Sequence, residues 1–383
     1  MSVTAAAGFQ AAGVAAGIKA AGGRDLALIV NDGPSDAVAA VFTANRVKAA
    51  PVLWSEQVVA SGRARAVVLN SGGANACTGP AGFQDTHRTA EHAGAALGIS
   101  AGEVVVCSTG LIGDRLPMPA VLGGIDQARA ALRADAGAEA ADAIRTTDTV
   151  SKQAHVSGAG WTVGGMAKGA GMLAPSLATM LCVLTTDAVV GPGLLEEALR
   201  AATRVSFDRL DADGCMSTND TVVLLASGAS GVEPDPIFFA DAVRDVCLDL
   251  SAQLLADAEG ATKLVAIEVV GAADEADAVE VGRSIARNNL LKCALFGNDP
   301  NWGRVLAAIG TTRAAFDPDQ LDVAINGVQV CRAGAAGDDR SLVDLTGRDI
   351  SIVADLHAGR SAATIWTNDL SHAYVEENSA YSS

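Results

Sequence analysis

The chain has 383 residues, 50% of them hydrophobic, and carries a formal net charge of -17. Nucleic acid is bound through clustered Lys and Arg, and because the sequence has no basic run we expect no nucleic-acid partner. It also has no run of 18 apolar residues and no secretory signal pattern, so we expect no membrane span and a cytoplasmic protein.

The spacing of cysteines and histidines argues against a disulfide framework and against a metal site. The seven cysteines include no C-x-x-C pair, and the five histidines show no ligand spacing. The Gly-rich GAGWTVGG has Val163 where a dinucleotide fingerprint requires its third glycine, and no P-loop is present. We therefore predict no bound metal, no cofactor and a fold other than a Rossmann fold.

Short apolar runs alternate with helical patterns along the chain. The apolar runs predict strands at 25–30, 66–69, 103–107, 181–186, 221–226 and 263–271. Helical spacing and helix-start signals predict helices at 82–97, 118–133, 135–145, 192–203, 235–257 and within 297–310. This alternation predicts a mixed α/β (α+β) fold. The Gly-rich segment 157–175 is the clearest interruption, and we expect a boundary there.

The segment KGAGMLAPSLATML, residues 168–181, places Ala178 and Thr179 just before a predicted strand. A threonine hydroxyl needs a base to become a nucleophile, and the α-amine of an N-terminal threonine can serve as that base. Cleavage before Thr179 would create this amine, and the small Ala178 would leave room for the hydroxyl to attack the preceding carbonyl. Thr179 is equally an ordinary β-branched strand former at a loop exit. The spacing alone leaves both interpretations open.

Two upstream segments carry further hydroxyls. Thr109 and Gly110, in CSTGLIG, directly follow a predicted strand, where a hydroxyl and a backbone amide can stabilise an oxyanion. The alternative is an ordinary Ser/Thr/Gly turn. Thr146 and Thr147, in TTDT, offer hydroxyls at the end of a predicted helix, where capping is the alternative.

Two downstream segments are equally ambiguous when taken alone. Glu259, in DAEGATK, precedes a glycine and a predicted strand, and its carboxylate can hold a substrate amine. A helix end with a glycine cap is the alternative. The terminal ENSAYSS, residues 377–383, is small and polar, and such a terminus is expected to fray.

Taken together and in chain order, these segments resemble the ornithine acetyltransferase (glutamate N-acetyltransferase) family of arginine biosynthesis. The similar segments are FTANRVKAAPVLWS, NSGGANACTG, STGLIG, KGAGMLAPSLATML, STNDT, DAEGATK, DPNWGR and ENSAYSS. They span essentially the whole chain. The resemblance implies the two-part α/β architecture of that family, which lies outside the common superfolds.

The resemblance also implies a self-processing acetyltransferase. The chain would cleave itself between Ala178 and Thr179 into an α chain, residues 1–178, and a β chain, residues 179–383, which would remain together as an α2β2 heterotetramer. Thr179 would take the acetyl group from N2-acetylornithine as an ester and pass it to glutamate, which is ping-pong covalent catalysis. Whether acetyl-CoA also serves as donor is left open.

Residue roles follow from the same resemblance. Thr109 and Gly110 would form the oxyanion hole. One of Thr146 and Thr147 would contact substrate. The further substrate contacts would be Lys168, Thr179, Glu259, Asn378 and Ser383. Lys168 would also lower the pKa of the Thr179 α-amine or hold a substrate carboxylate.

Two other functions fit parts of the pattern. The first is an N-terminal-nucleophile amidase or aminopeptidase, which would cleave itself in the same way but use water as acceptor. The second is a binding protein that has lost activity. Product that forms only when glutamate is present would distinguish transfer from hydrolysis.

Overall fold

The computed structural model describes residues 2–174 and 180–380. The chain divides into two compact units, one of Met1–Asp208 with Cys215–Asp257 and one of Arg209–Gly214 with Ala258–Ser382. Each unit combines helices with sheets of mixed strand direction. The predicted mixed α/β class is therefore confirmed.

Two sheets form the centre of the first unit. Their strands are β1 (Phe9–Val14), β2 (Leu26–Asn31), β3 (Ala37–Phe42), β4 (Ala66–Ser71), β5 (Val104–Thr109), β6 (Lys152–Gly158), β7 (Trp161–Lys168), β8 (Leu181–Thr186) and β9 (Thr221–Ala226). One sheet has the order β1-β2-β4-β5 and the other β3-β9-β8-β7-β6. The pairs β4–β5 and β8–β9 are parallel, and the other neighbours are antiparallel.

Helices cover the outer faces of these two sheets, and the inner faces of the two sheets pack against each other. The helices of the first unit are α1 (Ala50–Val59), α2 (Gly79–Leu97), α3 (Met118–Ala130), α4 (Gly137–Ala143), α5 (Pro192–Val205) and α6 (Pro236–Ala256). Helices α2 and α3 pack on the first sheet, and α5 and α6 on the second. Val67 and Val105 of one sheet share a core with Val183 and Leu225 of the other. Strands covered on both faces are continuously apolar, which is why their runs are visible in the sequence.

The second unit is a six-stranded sheet with helices. Its strands are β10 (Leu264–Ala272), β11 (Asp322–Ile325), β12 (Val328–Arg332), β13 (Ala335–Ala336), β14 (Asp349–Asp355) and β15 (Ser361–Asn368), in the order β13-β12-β11-β14-β10-β15. Its helices are α7 (Glu275–Ala286), α8 (Asn289–Phe296), α9 (Trp302–Ile309) and α10 (His372–Ala380). Val265, Ile267 and Val269 alternate into a core shared with α7 and α9, as expected for a sheet with one buried face.

All six predicted strands and the predicted helices are present. The strands at 181–186 and 221–226 have the predicted ends, and the other elements have shifted ends. The boundary expected within 157–175 is wrong, because residues 152–168 form the β6–β7 hairpin inside the first unit. The glycines serve the hairpin turn, where Ala159 and Gly160 have φ of 51° and 85°. GAGWTVGG therefore lies in a hairpin and not in the strand-to-helix turn that a dinucleotide site requires.

No helix within residues 2–174 and 180–380 has the length and apolar character needed to cross a membrane.

Candidate active site

The predicted site residues separate into three groups. Ala178, Thr179 and Ser383 lie outside the described residues. Five others belong to the first unit: Thr109, Gly110, Thr146, Thr147 and Lys168. The remaining two, Glu259 and Asn378, belong to the second unit.

Thr109 and Lys168 are in direct contact although they are 59 positions apart in the sequence. Thr109 ends β5 and Lys168 ends β7, and the Lys168 Nζ donates a hydrogen bond to the Thr109 Oγ1 at 3.0 Å. Both side chains are buried. A hydroxyl that accepts from an ammonium group keeps its own proton to donate elsewhere. Thr109 therefore has the chemistry of an oxyanion donor with a positive charge behind it.

Leu181, two positions after Thr179 in the sequence, lies at the same end of the second sheet as Lys168. Leu181 opens β8 and is paired in register with Lys168 on β7 and with Thr221 on β9. The Thr109–Lys168 contact thus lies at the strand end where β8 begins, two positions after Thr179 in the sequence.

The backbone conformation at position 110 requires a glycine. Its φ is 134°, a value that L side chains rarely adopt, and an added Cβ would lie 2.4 Å from the Gly73 nitrogen. That nitrogen donates to the Thr109 carbonyl at 3.0 Å, so the two chain segments are tied together. Glycine is needed here whether or not its amide also binds an oxyanion.

Asp148 is a buried residue of this region that the sequence reasoning did not select. Its Oδ1 accepts from the Lys152 Nζ and from the Gly169 amide, each at 2.6 Å, and its Oδ2 accepts from the Thr146 amide at 3.0 Å. Burial opposes ionisation of the carboxyl, but the charges of Lys168 and Lys152 outweigh burial and hold the Asp148 pKa below its usual range. Asp148 is thus the anion that balances Lys168.

The TTDT segment is organised around this aspartate. The sequence reasoning considered its threonine hydroxyls as substrate contacts, whereas the structure shows Asp148 binding the backbone of Thr146 and of Gly169. Lys152 also pairs with Asp257 at 2.5 Å, so one buried lysine joins two carboxylates. The sequence did contain a signal: Asp148 is a single acidic residue between two threonines, four positions before Lys152.

The segment STNDT, residues 217–221, contributed to the resemblance, but none of its residues was predicted to belong to the site. The Asn219 Nδ2 donates to the Ala74 carbonyl at 2.7 Å and to the Ser108 carbonyl at 2.8 Å. The Asp220 Oδ1 accepts from the Met180 amide at 3.0 Å. The segment therefore ties the end of β5 to the start of β8.

In the second unit, the two predicted substrate contacts meet each other. The Asn378 Nδ2, on α10, donates to the Glu259 Oε2 at 3.0 Å. Gly260 has a φ of 61°, and an added Cβ would lie 2.1 Å from the Tyr374 nitrogen, so glycine lets this turn pack against α10. The expected fraying of the terminal segment is not seen up to Ala380, where α10 ends.

Within the described ranges, no group of three or more His, Cys, Asp or Glu side chains is placed to hold a metal ion. The seven cysteines, all within the described ranges, form no disulfide bond with one another.

Comparison with known proteins gives matches over the whole chain. A sequence model of the ArgJ family matches residues 10–383. The arginine biosynthesis bifunctional protein ArgJ of Thermobifida fusca is 68% identical over 382 residues, which covers 100% of both chains. The protein of the same name from Streptomyces avermitilis is 68% identical over 383 residues, again with 100% of both chains covered.

Solved structures give partial matches. The crystal structure of the ornithine acetyltransferase of Mycobacterium tuberculosis, complexed with ornithine, is 60% identical. The match covers 47% of this chain and 96% of that chain, with a TM-score of 0.45. The full-length family match and the relatives at 68% identity are sufficient for assignment: this chain belongs to the ArgJ family.

Proposed function

We propose that this chain is a self-processing acetyltransferase of arginine biosynthesis that moves an acetyl group from N2-acetylornithine to glutamate. Family membership supports the reaction class, and relatives at 68% identity are arginine biosynthesis bifunctional proteins. The observation that carries the proposal is the buried Lys168–Thr109 hydrogen bond beside the start of β8. It provides a hydroxyl donor supported by a positive charge at the strand end where β8 begins, two positions after Thr179 in the sequence.

The first step of the proposed sequence is self-cleavage. The Thr179 hydroxyl attacks the Ala178 carbonyl, and water opens the resulting ester. This gives residues 1–178 and residues 179–383, the second beginning with Thr179. The new α-amine is the base that activates the Thr179 hydroxyl, because a threonine side chain is a poor nucleophile without one. The two chains remain associated, and two copies of each form an α2β2 enzyme of the cytoplasm.

The second stage is acetyl transfer. Thr179 attacks the acetyl carbonyl of N2-acetylornithine, and the oxyanion is stabilised by the Thr109 hydroxyl and the Gly110 amide. One such donor lowers the barrier by about 2.7–4 kcal/mol in comparable sites. Ornithine leaves, and the amine of glutamate attacks the acetyl-Thr179 ester to give N-acetylglutamate.

The remaining predicted residues contact the amino-acid substrates. Glu259 and Asn378, which are hydrogen-bonded to each other, would bind polar groups of the substrate, as would Ser383. One of Thr146 and Thr147 would do the same. The bifunctional name of the relatives supports acetyl-CoA as a second acetyl donor. Release of free thiol on mixing the enzyme with acetyl-CoA and glutamate tests this second activity.

Intact-mass measurement of freshly purified protein is the first test. We expect two fragments, the second beginning Thr179-Met180-Leu181. Incubation with N2-acetylornithine should then release ornithine in proportion to added glutamate, with N-acetylglutamate as product. A Thr179→Ala chain that still cleaves itself and still transfers acetyl groups would contradict the proposal. Release of ornithine and acetate at the same rate without glutamate would instead identify an amidase.

A further inference from the structure

Asp220 is a buried carboxyl group that the mechanism above does not use. It directly precedes β9, and its side chain is completely buried. Its Oδ1 accepts from the Met180 amide at 3.0 Å. Its Oδ2 is equally buried and has no hydrogen-bond partner among the described residues. A buried polar atom without a partner is costly, so this oxygen calls for an explanation.

The contact with Met180 joins this carboxyl to the residue that follows Thr179 in the sequence. The Met180 nitrogen is bonded to the carbonyl carbon of Thr179. It is thus three bonds, at most about 4 Å, from the α-nitrogen of Thr179. In the uncleaved chain, that α-nitrogen belongs to the Ala178–Thr179 peptide bond. It is the atom that must leave when this bond breaks.

The surroundings of Asp220 favour the uncharged form of its carboxyl. Burial raises its pKa well above the usual range, and the Met180 amide, Ser217 and Lys168 oppose this only in part. The charge of Asp208 adds to the rise. The pKa of Asp220 is thus shifted upwards, whereas the charges of Lys168 and Lys152 help to shift the pKa of Asp148 downwards.

We propose that Asp220 is the proton donor that releases the α-nitrogen of Thr179 during self-cleavage. The inference rests on the proposed function, since it assumes cleavage before Thr179. The proposal gives a chemical role to one residue of the STNDT segment, whose other contacts are structural. It also explains why the Oδ2 atom is buried without a partner among the described residues.

The step balances as follows. The Thr179 Oγ bonds to the Ala178 carbonyl carbon, and the bond from that carbon to the Thr179 nitrogen breaks. The nitrogen takes the proton of the Asp220 Oδ2 and leaves as a neutral amine. The hydroxyl proton of Thr179 passes to the Asp220 carboxylate, which is then protonated again. Water hydrolyses the ester and leaves a carboxyl on Ala178 and a hydroxyl on Thr179.

The test is the self-cleavage rate of the full chain with Asp220→Asn. The asparagine side chain has the same shape, and its carbonyl oxygen can still accept from the Met180 amide, but it has no acidic proton. We expect a folded, uncleaved chain with self-cleavage slowed at least about 100-fold, since general acid–base groups contribute 10²–10⁴-fold. The matched control is Asp187→Asn, which replaces a buried aspartate that accepts two backbone amides beyond the other end of β8. It should cleave normally.

A second arm separates cleavage from acetyl transfer. Residues 175–178 are replaced by Ile-Glu-Gly-Arg in chains with and without Asp220→Asn, and factor Xa then exposes Thr179. Once cut, the two enzymes should transfer acetyl groups within about threefold of each other, because transfer does not need the Asp220 proton. An Asp220→Asn chain that cleaves itself at the unmodified rate would overturn the inference. So would a cut Asp220→Asn enzyme that stays inactive while its Asp220 counterpart is active.

The protonation state of Asp220 can be measured without cleavage. In an uncleaved Thr179→Ala chain, infrared difference spectra against the same chain with Asp220→Asn should show the carbonyl stretch of a protonated carboxylic acid at neutral pH. A carboxylate signal at neutral pH would refute the inference even if Asp220→Asn lowers the yield of folded protein. Absence of cleavage and transfer in the unmodified chain would instead refute the proposed function itself.

Discussion

Replacing Thr109 by valine removes the donor that the proposed mechanism needs while keeping the shape of the side chain. Thr109 is 3% exposed at the end of a strand, where valine is readily accommodated. We expect kcat to fall about 10²–10³-fold, which corresponds to the 2.7–4 kcal/mol supplied by one oxyanion donor. The KM for N2-acetylornithine should change little, because the hydroxyl acts on charge that develops in the transition state.

The effect on stability can be worked out from the same contact. Thr109→Val removes a buried hydrogen bond from the Lys168 ammonium, and a bond to a charged group is worth about 1.5–3 kcal/mol. The added methyl group returns about 0.8 kcal/mol of burial. The free energy of unfolding should therefore fall by about 1–2 kcal/mol, which leaves the protein folded and the loss of kcat attributable to chemistry.

The assay must count only processed enzyme. Intact mass gives the cleaved fraction, and kcat is then expressed per cleaved chain. Thr109→Ser is the matched control, because it keeps the hydroxyl and should retain kcat within about tenfold. A Thr109→Val enzyme with kcat within a factor of ten of the unmodified protein would refute the role of the hydroxyl, as would a serine variant as slow as the valine variant.

Three further predictions concern groups that hold the site in place. Lys152→Met leaves two buried carboxylates without their shared cation and should lower the free energy of unfolding by about 3–5 kcal/mol in urea titrations. The lowered pKa of Asp148 contributes stability above its unfolded-state pKa of about 3.9, and this is lost as pH falls through the lower folded-state pKa. Acid unfolding should accordingly be less steep in Asp148→Asn. Gly260→Ala puts a Cβ 2.1 Å from the Tyr374 nitrogen and should lower Tm more than Gly22→Ala, which has positive φ but open space.

Strand prediction succeeded for the fully buried strands β8 and β9 and missed the short strands β11 and β12. Residues 181–186 and 221–226 are buried at every position and mostly apolar, because both faces of β8 and β9 are covered. The strand β11 alternates partly exposed and buried residues over only four positions, and the five residues of β12 do not alternate, so neither gives a detectable periodicity. Segment 157–175 was misjudged because its glycines were read as a break, whereas they permit a tight hairpin.

Only part of the candidate site could be predicted from sequence motifs. Motif resemblance identified Thr109, Lys168, Glu259 and Asn378, and the structure brings them together as two contacts, one in each unit. Resemblance gave no weight to Asp148, because an aspartate in a polar segment is ordinarily a cap or a solvated charge.

The amino-acid sequence by itself determined the main secondary-structure elements of the chain, the absence of a nucleotide motif and, through ordered motifs over its whole length, its family. These properties are local, since they depend on periodicity and short segments. Only the tertiary structure decided that Lys168 supports Thr109, that Asp148 carries the balancing charge and that Asp220 is buried at the Met180 amide. Contacts between residues 40–59 positions apart and the loss of water around a carboxyl depend on how strands are ordered and packed, which local sequence does not specify.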